Sequence, residues 1–250
     1  MSLLDWIYPP RCISCRTIFT PLHNAPHRWI CDNCKPLLIT IASPFCLRCG
    51  HPKTSNTSNP YACLSCQSRQ FHFESHRAAF VYDGVVRDMI HHIKFQNDRQ
   101  AAQGLGQVLA EAAHEWGFNT SYADYIVPIP LHPSKKRTRG FNQAAILAKP
   151  LSKTLGISMA GDMIKRTKKT APQSGLSVTG REQNLSDAFA YNKRKYDISN
   201  KKILLIDDIF TSGATMSTCA KLLMANGAVK VTCLSLSIAV RDFETQAYDD

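Results

Sequence analysis

The spacing of apolar residues along the chain changes after Cys66. From there on, short apolar runs alternate with amphipathic stretches. "HRAAFVYD" (76–83) alternates as a half-buried strand does. "GVVRDMIHHIKFQ" (84–96) places Val85, Met89, Ile93 and Gln96 on one helical face, with Ile90 adjacent. "QAAQGLGQVLAEAAHEWG" (100–117) predicts a second helix, stopped by Gly117. "ADYIVPIPL" (123–131) is a short buried strand broken by two prolines, and "NQAAILAKPLSKTLG" (142–156) a helix capped by Gly156, with Pro150 a kink point. "GDMIKR" (161–166) and "KILLI" are further strands, followed by a helix over 213–227 and a last strand over 229–240. Strands alternating with helices predict an α/β fold with a mainly parallel sheet. Cys219 and Cys233 fall within apolar periodicity and read as buried thiols. His91 and His92 are helical neighbours that point apart, which suits structural or surface roles better than a metal site.

Residues 1–72 are built differently, with eight of the ten cysteines between positions 12 and 66. These form four C-x-x-C steps: Cys12/Cys15, Cys31/Cys34, Cys46/Cys49 and Cys63/Cys66. Each step offers two thiolates from one tight turn, and a tetrahedral Zn²⁺ takes two such turns. The spacers of 15 and 13 residues are close to those of zinc ribbons. Sequential pairing of the steps is the expectation; crossed pairing, or one occupied and one degenerate site, remains open. Four sulfur ligands leave no open coordination position, so zinc here is structural. Gly50, after Cys49, suits a left-handed turn. The loops between the steps carry His27, Arg28, Trp29, Lys53 and Tyr61, and an aromatic beside cations suits either base stacking or loop packing.

A formal charge of +11 points to an anionic partner or to a solvated basic surface. The excess is concentrated between His132 and Lys202, with 16 Lys/Arg against four Asp/Glu, whereas the tail 242–250 is acidic. No apolar run approaches the roughly 18–20 residues that span a bilayer. The N-terminus lacks a basic signal-peptide region, so a cytoplasmic protein without membrane insertion is expected. A reduced compartment argues against disulfides.

"KKILLIDDIFTSGATMSTC" (201–219) concentrates the chemistry. Asp207 and Asp208 sit at the carboxyl end of a predicted buried strand, where α/β sheets bind ligands. The turn after them brings backbone N–H groups, the hydroxyls of Thr211, Ser212 and Thr215, and a helix N-terminus to one spot, which suits a phosphate. Carboxylates beside that spot suit hydroxyls or a hydrated Mg²⁺. A ribose 5-phosphate unit has both features. A Walker A loop is excluded because no lysine follows Gly213. A response-regulator receiver is excluded because 42 residues after Asp208 cannot hold its later strand–helix units.

"ILLIDDIFTSGAT" resembles the phosphoribosyl pyrophosphate (PRPP) motif of type I phosphoribosyltransferases. From about Leu3 to Val240 the chain resembles the ComF family of competence proteins, which join a zinc module to such a domain. The resemblance rests on the C-x-x-C array, "YDGVVRDMIHHIKF", "PIPLHPSKKRTRGFNQA" and "RTKKTAPQSGLSVTGREQNLSDAF", in this order before the PRPP motif. It implies a type I phosphoribosyltransferase-like parallel sheet flanked by helices over 73–241, a double C-x-x-C zinc-ribbon module over 1–72 and an acidic tail over 242–250. It implies that Asp207 and Asp208 contact the ribose hydroxyls and that Thr211, Ser212, Gly213, Ala214 and Thr215 hold the 5′-phosphate. It implies a pyrophosphate loop over 130–139, where Lys135, Lys136, Arg137 and Arg139 suit a highly charged anion. A closing loop over about 168–184 would contribute Arg181 and Asn184, and Lys94 is a further candidate.

The function implied is handling of incoming single-stranded DNA (ssDNA) during natural transformation, with Mg²⁺ and PRPP at the second domain and one or two structural zincs at the first. Other competence or DNA-processing proteins are expected partners. Two alternatives stand beside it: a phosphoribosyltransferase using Asp207, Asp208, Arg137, Arg139 and Arg181 on an unknown acceptor, and a PRPP sensor without chemistry. No base-selecting segment is recognisable in the sequence.

Overall fold

The computed structural model describes residues 11–19, 29–53, 63–67, 69–167 and 188–240. In chain order its elements include α1 (Leu64–Gln67), β1 (Ser75–Val81), α2 (Gly84–Gln96), α3 (Arg99–Glu115), β2 (Tyr125–Pro128), α4 (Pro133–Arg139) and α5 (Gln143–Leu155). They continue with β3 (Ser158–Met159), β4 (Ile164–Arg166), β5 (Phe189–Tyr191), β6 (Lys202–Phe210), α6 (Ala214–Ala225) and β7 (Lys230–Ile238). The central sheet has the order β1-β7-β6-β2-β3 with every pairing parallel, and β4 and β5 form a separate antiparallel pair.

Strand alternation divides the interior into two cores. In β6, Leu204 and Ile206 face one core, shared with α2, α3 and α5. Ile203 and Leu205 face the other, shared with α6 and the β4–β5 pair. Both Cys219 and Cys233 are fully buried in this second core, as their periodicity predicts.

The helix expected over 84–96 forms with those bounds, begun by Asp83, whose side chain accepts from Gly84 N at 2.8 Å. Its buried stripe is rotated from the expected one: Val86, Met89, Ile90 and Ile93 are buried, whereas Val85 is half-buried and Gln96 exposed. The stripe follows i, i+3, i+4, i+7 spacing from Val86, which brings both neighbours Met89 and Ile90 onto the core. Gly156 ends α5 at φ 69°, and Pro150 lies inside that helix. A helix, α4, stands within the segment read as the pyrophosphate loop, started by His132 at its N-cap and Pro133 at its first turn.

The cysteine-rich segments wrap the edge of this sheet. Cys12, Ile13, Ile30, Cys31 and Cys34 join the core over α2, α3 and α5. Cys46 and Cys49 join the opposite core. Between them, residues 39–41 run beside β1, with Val81 N donating to Ile39 O at 2.8 Å and Ile41 N to Ala79 O at 3.3 Å. This covers the outer edge of β1, an edge that would otherwise present unpaired backbone groups. The metal segments therefore borrow the core of the sheet as well as their own cysteines. Among the described residues no helix is long and apolar enough to cross a membrane.

Candidate phosphate site and cysteine clusters

The chain leaves β2 toward β3 on one side of the sheet and leaves β6 toward β7 on the other. The carboxyl ends of β2 and β6 thus flank the crevice where the strand order reverses, the usual ligand position in open parallel sheets. The β2–β6 ladder ends at Pro128 beside Ile206, and Ile129 N donates to Ile206 O at 2.8 Å. β6 continues along β7 as far as Phe210 beside Ile238. Asp207 and Asp208 lie in that overhang, at the mouth of the crevice.

Adjacent strand residues point to opposite faces, and the two acids have different surroundings. Asp208 forms an ion pair with Lys94 of α2 at 2.7 Å, with both side chains 17% exposed. The Asp207 charge is felt by Arg166 and by Cys219 of the second core. Asp207 Oδ1 accepts from Asp208 N at 2.9 Å. Burial and the neighbouring charge of Asp208 push the Asp207 carboxyl well above the usual carboxylate range, with the Asp208 N–H and Lys94 opposing that shift. Lys94 thus reaches the acid pair from the helix α2.

The turn from β6 into α6 has the geometry of a small anion cradle. Gly213 stands at the N-cap with φ 73°, a left-handed conformation that glycine adopts without a Cβ clash. Ser212 Oγ accepts from Ala214 N at 3.4 Å. Thr211 is exposed, and Ser212, Ala214 and Thr215 are half-buried. From the β2 side, α4 carries Lys135, Lys136 and Arg137 exposed and Arg139 half-buried. Arg181, Asn184 and the expected closing loop lie outside the described residues.

The eight cysteines gather as sequential pairing predicts: Cys12, Cys15, Cys31 and Cys34 form one cluster, and Cys46, Cys49, Cys63 and Cys66 the other. Within each, all sulfurs lie within 4.8 Å of one another. The contacts Cys15–Cys31, Cys46–Cys66 and Cys49–Cys63 are 3.6, 3.7 and 3.5 Å. A tetrahedral Zn²⁺ with Zn–S bonds of ~2.3 Å sets sulfurs ~3.8 Å apart, so both clusters fit zinc. All eight are free thiols rather than disulfides. Burial pushes the Cys34 thiol up to about 12, so a cation is needed to hold it as a thiolate at neutral pH. A left-handed residue closes the first knuckle of each cluster, Arg16 at φ 64° and Gly50 at φ 73°.

The chain matches the family model of the double zinc ribbon domain over residues 3–67 and that of the phosphoribosyl transferase domain over 141–241. It is 30% identical to competence protein F of Haemophilus influenzae over 92% of this chain and 97% of that one. The chain belongs to this competence protein family. Another relative in the family is the DNA utilization protein YhgH of Escherichia coli, 30% identical over 83% of this chain and 90% of that one. A solved purine phosphoribosyltransferase from Pyrococcus horikoshii covers 54% of this chain and 70% of its own, at 18% identity and a TM-score of 0.33. The family's two parts correspond here to the two Cys₄ zinc-ribbon sites and to a parallel sheet flanked by helices.

Among the loop residues considered for base stacking, Trp29 packs against α3: a Cβ on Gly104 would lie 2.5 Å from its Cγ. His27, Arg28 and Tyr61 lie outside the described residues. A different aromatic is exposed. Phe95 of α2 is 71% accessible. It escaped the sequence reading because it sits in an amphipathic helix whose apolar residues were assigned inward. Arg99 donates to Gly140 O at 3.4 Å, tying the start of α3 to the end of the cationic α4. His76 was missed for a similar reason: in sequence it is one polar residue in an alternating strand. In the fold it is fully buried between the second cluster and β7.

Proposed function

We propose that this chain handles incoming single-stranded DNA in the cytoplasm during natural transformation and binds PRPP with Mg²⁺ at the crevice between β2 and β6. One observation supports the reading: the acid pair at the end of β6 with its hydroxyl turn, and a seven-residue helix with four cations, follow two adjacent parallel strands at the switch point of the sheet. The chemistry matches a ligand with a ribose, a 5′-phosphate and a pyrophosphate. Asp207 and Asp208 would accept from ribose hydroxyls or hold a hydrated Mg²⁺, which when bound supplies positive charge to the pyrophosphate. Residues 211–215 would hold the 5′-phosphate through backbone N–H groups and hydroxyls. Lys135, Lys136, Arg137 and Arg139 would hold the pyrophosphate. For DNA, the names of the relatives support the role, and the exposed Phe95, whose ring lies 5.1 Å from that of His91, offers a surface for base stacking. Residues 1–72 and 73–241 are the proposed units, with the acidic tail beyond.

The acid pair also keeps a transferase reading in view. There the C1–O bond to pyrophosphate would break as an acceptor lone pair forms the new bond at C1. Arg137, Arg139 and Arg181 would stabilise the negative charge gained by the leaving group.

Calorimetric titration of the zinc-loaded protein with PRPP and Mg²⁺, alone and with ssDNA bound, tests the reading. Saturable binding lost in the Asp207→Ala/Asp208→Ala variant, with zinc content unchanged, is expected; its absence in the parent protein rejects the site. Affinity for ssDNA should fall steeply with salt as phosphate contacts release counterions. Phe95→Ala should weaken it about tenfold, within the range for loss of one base stack. Salt-insensitive or absent ssDNA binding rejects the DNA role. Pyrophosphate release with any acceptor would establish the transferase reading, whereas PRPP binding without release would favour a sensor.

A further inference from the structure

We infer that the second cysteine cluster is a structural anchor of the phosphate turn, and that Arg69, Phe71, His72 and His76 are the positioning residues that connect them. The inference rests on the proposed PRPP site only for its affinity readout.

Three paths run from this cluster to residues 210–217. The first is backbone and imidazole. His76 is fully buried, its N donates to Arg48 O at 2.8 Å, and its Nδ1 lies 2.8 Å from Cys49 O. A carbonyl oxygen only accepts, so the Nδ1–H donates to the knuckle. Its Nε2 lies 2.9 Å from the hydroxyl of Ser235, the residue paired with Asp207 across the β6–β7 ladder. The imidazole also stacks on Phe210 at 3.9 Å.

The second path is aromatic. Arg48, inside the Cys46–Cys49 knuckle, donates to Phe71 O at 2.7 Å. The Phe71 and Phe210 rings close over the left-handed Gly213, where a Cβ would lie 2.7 and 2.6 Å from them. The third path begins just after Cys66. Arg69 donates to Ser212 O at 3.2 Å, and His72 N donates to Ser217 Oγ at 3.1 Å. Ser212 and Ser217 bracket the N-terminus of α6. The turn is therefore held from below by residues whose own positions depend on the cluster.

The first cluster has a different reach. Arg16 of its knuckle donates to Asp98 at 2.6 Å and to Gln96 at 3.3 Å, at the α2–α3 junction. Preorganisation of a binding turn reduces the ordering cost of its ligand, so the anchor would act on affinity and on local opening without touching phosphate.

Amide hydrogen exchange across 207–219, read by mass spectrometry on the full zinc-loaded chain, tests this with zinc content measured in parallel. Cys63→Ser/Cys66→Ser should raise exchange over 210–217 by about tenfold or more, while Cys12→Ser/Cys15→Ser should leave it within about twofold and instead loosen 96–104. Arg69→Ala, which leaves every cysteine in place, should raise exchange there by a few fold and weaken PRPP. Arg69→Lys, which keeps a donor in reach of Ser212 O, should recover most of both. Should the double cysteine variant fail to fold, the Arg69 pair decides. Unchanged exchange after loss of zinc from the second cluster, equal loosening by both clusters, or no effect of Arg69→Ala overturns the inference. Absence of PRPP binding in the parent protein would reject the ligand assignment while the exchange comparison still decides the coupling.

Discussion

The two cysteine clusters repeat one local design and then diverge in what they touch. Each is two C-x-x-C turns brought together across a short spacer, with a left-handed residue closing the first turn. The first docks on the core under α2, α3 and α5, where Trp29 lies against Gly104. The second docks on the opposite core and lies one residue layer from the phosphate turn through His76, Phe71 and Phe210. Similar metal geometry thus serves two ends. One cluster contacts the α2–α3 junction, and the other lies against the base of the proposed binding turn. What distinguishes them is the sheet face on which each lands, set by residues 39–41 crossing at the β1 edge.

The sharpest way to break this comparison is at the two glycines where each side packs tightest. Gly213→Val adds a branched side chain at φ 73° against Phe71 and Phe210. It should cost about 2–5 kcal/mol from left-handed strain and overpacking, read by chemical denaturation, and remove PRPP binding. Gly104→Ala meets the Trp29 ring but sits in a helix. Overpacking of about 1–3 kcal/mol is partly offset by a helix-propensity gain of about 1 kcal/mol. A modest loss of stability with unchanged PRPP affinity is expected. Loss of PRPP affinity there would mean that both clusters govern the turn.

A smaller effect is expected at Asp207. Its carboxyl titrates above the ordinary value of 3.8 in the folded chain. Between that value and its raised position, the folded state holds a proton that the unfolded state has lost. Stability contributed by this group is therefore full below about 3.8 and falls as pH rises through the raised value. Asp207→Asn should raise the thermal midpoint at pH 8, with little difference at pH 3, while weakening PRPP. A midpoint lowered equally at both pH values would show that the carboxylate is not under strain from burial and Asp208. This is the stability–function trade expected of a binding site.

The smallest effect should come from the knuckle residues themselves. Arg16 occupies a left-handed position at a cost of about 1–2 kcal/mol, set against an ion pair with Asp98 that is partly exposed and worth about 1 kcal/mol or less. Arg16→Gly should therefore shift stability by about 1 kcal/mol or less. Gly50 has no such latitude, because a Cβ there would lie 2.8 Å from the backbone oxygen of His76. Equal tolerance at the two positions would remove the asymmetry between the clusters.

The legible parts of this protein are those encoded by local spacing. The cysteine pairing could be read from four C-x-x-C steps because a metal needs two turns and sequence neighbours supply them. The α2 boundaries, the Gly156 cap and the β6–turn–α6 unit could be read because periodicity and glycine act within a few residues. The acid pair could be placed at a strand end, yet the Lys94 contact with Asp208 depends on how α2 packs over β6, more than 100 residues away in sequence.

The sequence by itself determined a zinc-ribbon N-terminal segment, an α/β fold and a hydroxyl-rich turn after β6, because each rests on contacts between near neighbours. Only the tertiary structure decided the sheet order, the opposite faces chosen by the two clusters, the packing of Trp29 against α3 and the exposure of Phe95. It alone brought His76 between a cysteine knuckle and the strand beside Asp207. These follow from long-range packing, in which the same polar or aromatic residue becomes buried or exposed according to the surface that reaches it.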